Sequence, residues 1–186
     1  MKVLTRGLGF SFLEVLITIL ILSILASIAL PNMNDFIEKM AVENEASQVH
    51  RILLAARNSA INKEQTVIVC PLDDDGSCTS NWTNAISAFT DNNNDNSYQA
   101  ANDELIKVKS ATSGRQQIAF NTDKVMFDAT GKRIDSQSRT FSICSAIKSQ
   151  FNKGVTVSQL GRVYQSQDID ADGKDEDRLG NEISCS

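Results

Sequence analysis

The chain passes through three hydrophobic patterns. Residues 10–30 read FSFLEVLITILILSILASIAL, apolar on every helical face, with one charge, Glu14, in 21 residues. A helix rises about 1.5 Å per residue and bilayer hydrocarbon is about 30 Å thick, so roughly 20 such residues span it. The alternative is a buried core helix, although few soluble helices are apolar all round. Past Pro31 the polarity rises. Ile37, Met40, Ala41, Val49, Ile52, Leu53, Ala56 and Ala60 recur at three- and four-residue spacings, as on an amphipathic helix with one buried face. The two stretches join into one predicted helix from about Phe10 to Asn62, kinked near Pro31 because proline removes a backbone donor.

After Lys63 short β-prone runs take over, separated by Gly, Asn, Asp and Ser clusters. They are Thr66–Cys70, Ala85–Thr90, Leu105–Val108, Gln117–Phe120, Val125–Phe127, Thr140–Cys144, Gly154–Ser158 and Arg162–Gln165. Their closeness leaves no room for crossover helices, so the predicted sheet is mostly antiparallel. The fold class is α+β: a long N-terminal helix, its first half transmembrane, packed on a β-rich domain. The expected divisions are 1–9, 10–30, 31–62 and 63–186, with long polar loops at 71–84 and 91–103.

Charge orients the chain. Lys2 and Arg6 precede the apolar run and no basic residue follows it until Lys39, so the N-terminus stays inside and residues 32–186 go outside. A secretory signal peptide would be cut after the run, at a site such as Ala26-Ser27-Ile28-Ala29. Cleavage before the run would instead keep it as an anchor. Cys70, Cys78, Cys144 and Cys185 all lie in the exported part, where an even number suggests two disulfides. Cys70–Cys78 would close a local loop and Cys144–Cys185 would staple the tail; these pairs are favoured among three pairings, with free thiols the remaining alternative.

The net charge of −5 does not advertise nucleic-acid binding. Its distribution is uneven: residues 124–162 hold seven basic and two acidic residues, and residues 163–186 seven acidic and two basic. Each stretch on its own reads as an ordinary solvated face.

The stretch Gly9-Phe10-Ser11-Phe12-Leu13-Glu14, behind a basic leader and opening an apolar run, resembles the processing motif of type IV prepilins. The resemblance implies cleavage after Gly9 by a prepilin peptidase, N-methylation of Phe10, and a filament-assembly role for Glu14. Pro31 matches the family's helix-kinking proline. A carboxylate deep in a membrane helix costs about 2.5–3.5 kcal/mol on insertion scales and so should have a partner. The amine of a neighbouring subunit would serve. A plain helix-end carboxylate facing the N-terminal dipole is the alternative.

The exported part resembles the GspH/FimT family, and within it the FimT/FimU group of minor pilins. The resemblance runs through Thr66–Pro71, Asp75–Cys78, Trp82, Phe89–Asn93, Asp103–Leu105, Phe127–Gly131, Thr140–Cys144 and Val157–Arg162. It implies a non-enzymatic, low-copy subunit that starts or caps a type IV pilus, partnered by other minor pilins and the major pilin. It would wait as a single-pass inner-membrane protein with a periplasmic domain, then move to the cell-surface pilus. A type II secretion pseudopilin is the alternative within the same family.

Three further features bear on chemistry. His50, the one histidine, sits among Gln48, Val49 and Arg51 with no nucleophile nearby, and no catalytic residues or cofactor are expected. Asp168, Asp170, Asp172, Gly173 and Glu176 resemble the opening of a calcium loop, where alternating carboxylates converge on one hard cation. The twelfth position is Leu179 rather than glutamate, which Glu176 or Asp177 would have to replace; otherwise this is a solvated acidic loop. Asp91-Asn-Asn93-Asn-Asp95 is a weaker copy that Asx turns explain without metal. Finally, some FimT-like proteins bind DNA through a Gly-Arg-x-Arg element. Gly161-Arg162-Val163-Tyr164 corresponds to it here, with tyrosine for the second arginine and an acidic tail behind. Arg139, Lys148, Lys153 and Arg162 are the candidate DNA contacts; a basic face meeting an acidic neighbouring subunit is the alternative.

Overall fold

The computed structural model of the chain describes residues 9–112 and 114–185, leaving out the side chains of 28–32. Helix α1 runs Phe12–Lys63. Among the described residues eight strands follow: β1 Val67–Pro71, β2 Ile86–Thr90, β3 Leu105–Lys109, β4 Gln116–Ala119, β5 Val125–Phe127, β6 Arg139–Ser145, β7 Lys153–Val157 and β8 Val163–Gln165. The chain divides into two compact units between Ile37 and Glu38.

In the first unit, the apolar side chains from Phe10 to Leu25 are exposed, Phe10 at 84% and Leu22 at 63%. Three hydroxyl side chains of this stretch bond back to the helix. Thr18, Ser23 and Ser27 donate their hydroxyls to the carbonyls of Val15, Leu20 and Ile24, three residues back, which spares them a need for water. The expected leader, residues 1–8, lies outside the described residues. So do the side chains at the expected kink at Pro31, where the backbone is helical. Among the described residues no helix is long and apolar enough to cross a membrane.

In the second unit, Val42, Ala46, Val49, Leu53, Ala56 and Ala60 follow a four-three spacing and enter one core with strand residues of both sheets. Three residues of the predicted stripe do not belong to it: Ile37 and Met40 are about half exposed, at 53% and 52%, and Ala41 is only partly buried. The buried face there is instead carried by Glu38 and Glu45. Glu38 accepts a hydrogen bond from the Ser145 hydroxyl at 2.8 Å and one from Gln116 Nε2 at 3.3 Å. Glu45 pairs with Lys109 at 2.6 Å, an ion pair with both side chains nearly buried.

The strands lie where the short β-prone runs predict, but they form two four-stranded antiparallel sheets among the described residues rather than one. Their orders are β3-β2-β1-β5 and β4-β6-β7-β8. β4 and β5, though adjacent in sequence, join different sheets: Ile118 pairs with Ile143, and Ile68 with Met126. β1 and β2 are buried throughout, as strands covered on both faces must be. Trp82 closes the core, donating its Nε1 hydrogen to the Thr122 carbonyl at 2.7 Å and meeting Phe120 and Phe141 edge-on.

Candidate functional site

The four cysteines form the disulfides Cys70–Cys78 and Cys144–Cys185. The first ties the end of β1 to the loop before Trp82. The second closes a sequence separation of 41 residues and fastens the tail to β6. With that loop length, chain-entropy reasoning gives about 4 kcal/mol. The tail is also zipped by backbone bridges of Glu176 to Gln167 and to Glu182.

Folding the tail back gathers charged groups that are distant in sequence. A groove of about 690 Å³ is lined by Arg139, Arg162, Tyr164, Asp177 and Arg178, among others. Arg178 stacks on the Tyr164 ring at 3.9 Å. Arg139 is held by Asp135 at 3.3 Å and by Gln137 at 2.6 Å. Asp177 is burdened by partial burial, yet amides and the side chain of its own turn, from Leu179 to Asn181, hold its carboxyl below the ordinary range. Two of the expected DNA contacts, Arg139 and Arg162, therefore share one surface. The other two do not: Lys153 is bound to Asp175 at 2.8 Å, and Lys148 lies over the Phe151 ring beside the Cys144–Cys185 end. The acidic tail also brings Arg178 to the groove, beside its own Asp177. Arg178, which sits among the seven acidic residues of the tail, is not among the expected contacts.

Below the groove, two loops meet the helix. Arg57 Nε donates to the Gly131 carbonyl at 3.0 Å, and Gly161 packs so closely that an added Cβ would fall 1.8 Å from that oxygen. The 128–132 turn is built on Asp128, which accepts from the Thr130 amide and hydroxyl and the Lys132 amide. Burial acts to raise the Asp128 pKa, but these donors and the Lys132 charge together hold it below 3.8.

Asp168, Asp170, Asp172 and Glu176 each bring a carboxylate oxygen to within 4.8 Å of the others. Asp177, the other candidate for that group, is committed to its own turn instead. In the weaker copy, Asp91 uses both oxygens on the amides of Asp95 and Asn96, as an Asx-rich turn does. His50 is half-buried against a concavity shared with Tyr164 and Glu176. Gly9 and Phe10 are exposed ahead of the helix, and Glu14 lies in its first turn, exposed.

Comparison with solved structures shows the fold. The chain is similar to the type IV minor pilin FimU of Pseudomonas aeruginosa at TM-score 0.55 and 18% identity, covering 71% of this chain and 92% of that one. A second crystal form of FimU gives 0.52 and 18%, covering 67% and 92%. The minor pseudopilin EpsH of the Vibrio cholerae type 2 secretion system gives 0.43 and 18%, covering 67% and 94%. Among curated protein sequences nothing matches. The family model described as type II transport protein GspH matches residues 45–161, more than half of the chain, from the buried part of α1 through both sheets to Gly161. The chain is a member of that GspH family of pilin-like proteins.

Proposed function

We propose that the protein is a minor pilin that helps initiate or cap assembly of a type IV pilus. One observation carries this reading: a helix whose apolar side chains from Phe10 to Leu25 are exposed, with Glu14 their one charged neighbour, heads a closed GspH-type domain. Such a surface demands an apolar surrounding. The inner membrane supplies it first, with residues 10–30 as the single span and the domain in the periplasm. A filament core of neighbouring helices supplies it afterwards.

The steps follow from the residues. Prepilin peptidase cuts after exposed Gly9 and methylates Phe10. In the filament, Glu14 takes the new amine of a neighbouring subunit, so the carboxylate that burdens insertion becomes a selector for register. The partners are other minor pilins and the major pilin. No step in this account is catalysed by the chain itself. A strain lacking the gene should lose surface pili and regain them on complementation. An unchanged pilus count with lost protein secretion would transfer the reading to a type II secretion pseudopilin.

A second reading, a pilus-associated DNA-binding subunit for natural transformation, is favoured by the groove that joins Arg139, Arg162 and Arg178 around Tyr164. Arginines meet phosphates and a tyrosine ring stacks on a base. The detergent-solubilised chain should then retard single- or double-stranded DNA at low salt, where the electrostatic contribution is largest, and lose this in Arg162→Ala. No retardation at low salt removes this reading.

A further inference from the structure

We propose that Asp168, Asp170, Asp172 and Glu176 bind one calcium ion, a role separate from the assembly function above. The three aspartates alternate along a tight turn and present their carboxylates to one side. Glu176 reaches the same point from the far limb, where its backbone pairs with Gln167 through two hydrogen bonds of 2.9 and 3.2 Å.

The decisive feature is Glu176. It is 5% exposed, so its carboxylate has left bulk water. Oε2 accepts the Ile169 amide at 2.7 Å, while Oε1, fully enclosed, has no hydrogen-bond donor. A buried carboxylate oxygen without a donor calls for a partner, and an ion is one of the few that fit. Three more carboxylates lie within 4.8 Å, which multiplies the unfavourable charge. The cation beside them is Lys174, 3.6 Å from Asp172 but drawn to Glu182 at 2.9 Å. The Asp91 loop is the contrast: its buried carboxylate is satisfied by amides on both oxygens.

The donor set selects the ion. All four ligands are carboxylate oxygens, with no imidazole or thiolate among them. Calcium–oxygen bonds of about 2.3–2.6 Å put opposed ligands roughly 4.6–5.2 Å apart, against about 4.2 Å for magnesium. Oxygens that all lie within 4.8 Å of one another fit inside the calcium span, and magnesium, which sheds its waters reluctantly, is poorly served by an all-carboxylate cage. Leu179, at the place of the usual bidentate glutamate, is 85% exposed and offers nothing. Water completes the shell, and the affinity falls in the range of extracellular modules, about 10⁻⁴–10⁻³ M. Bound calcium would lock the 168–172 turn to the disulfide-tethered limb that carries Arg178.

Calorimetric titration of the EDTA-stripped full chain in detergent with calcium chloride tests this. One saturable site is expected, with magnesium at least about tenfold weaker. The exposed pair Asp170→Asn/Asp172→Asn should weaken calcium at least about tenfold, and Asp74→Asn, in another loop, should not. No saturable heat up to about 10 mM calcium, or equal affinity in the double variant, overturns the site. Should the double variant fail to fold, hydrogen exchange of the wild type decides: calcium must slow amides within 168–177 selectively, and a uniform or absent change refutes the proposal.

Discussion

At the scale of the residue, positions that look ordinary in sequence are constrained by backbone contact. Gly161 has φ +73°, and its missing side chain lets the 158–162 turn lie against the Gly131 carbonyl. Left-handed strain alone costs about 1–3 kcal/mol for another residue, and the collision adds to it. Gly161→Ala should therefore lower the urea midpoint clearly more than Gly180→Ala, where a Cβ meets nothing within 4 Å. Equal losses would mean that the close approach is unimportant. Asp128 gives the matching prediction for pH. Its folded carboxyl is more acidic than the ordinary 3.8, so it stabilises the turn fully above that value, and the stabilisation is lost as pH falls through the lower, folded one. The gap in stability between wild type and Asp128→Asn should be wide at pH 6 and close on acidification below about pH 3.8. A gap independent of pH would show that the charge is irrelevant there.

At the scale of the element, helix α1 is joined to the sheets by charge as well as by apolar packing. Removing one member of a buried pair strands the other, at a cost of about 3–5 kcal/mol, whereas replacing both with apolar residues is often neutral or better. Lys109→Met should thus be far more damaging than Glu45→Leu/Lys109→Met together, a comparison that thermal or urea unfolding reads directly. Additive effects would deny the coupling. These glutamates also mark the limit of what periodicity reveals. The apolar stripe from Val49 to Ala60 was legible because each residue decides its own burial. Glu38 and Glu45 were not, because what makes their burial tolerable is Ser145, Gln116 and Lys109, between 64 and 107 residues away. The strand positions were legible from local β-propensity, but the split into two sheets was not, since a strand such as β5 does not encode its partner. In the acidic tail the carboxylate spacing was visible, while the enclosure of Glu176 and the return of Arg178 to Tyr164 depend on the tail's closure by Cys144–Cys185.

At the scale of the whole molecule, two units with opposite surfaces are carried by one helix. Residues 38–186 bury their apolar side chains in a common core. The helix before them turns its apolar side chains outward from Phe10 to Leu25, and Met33, Phe36 and Ile37 continue the exposure. In the proposed function this outward apolar surface is covered by other molecules, lipid first and like helices later. Family membership supplies the domain, and in the proposed function cleavage after Gly9 releases the helix into a filament.

The central claim is that this helix polymerises through Glu14. Its most direct test is an immunoblot of sheared surface filaments from cells producing wild type or Glu14→Ala, beside the membrane fraction of the same cells. The account predicts that both proteins are cut after Gly9 and accumulate in the membrane, but that only the wild type enters filaments. Glu14→Ala present in filaments at the wild-type level would contradict it.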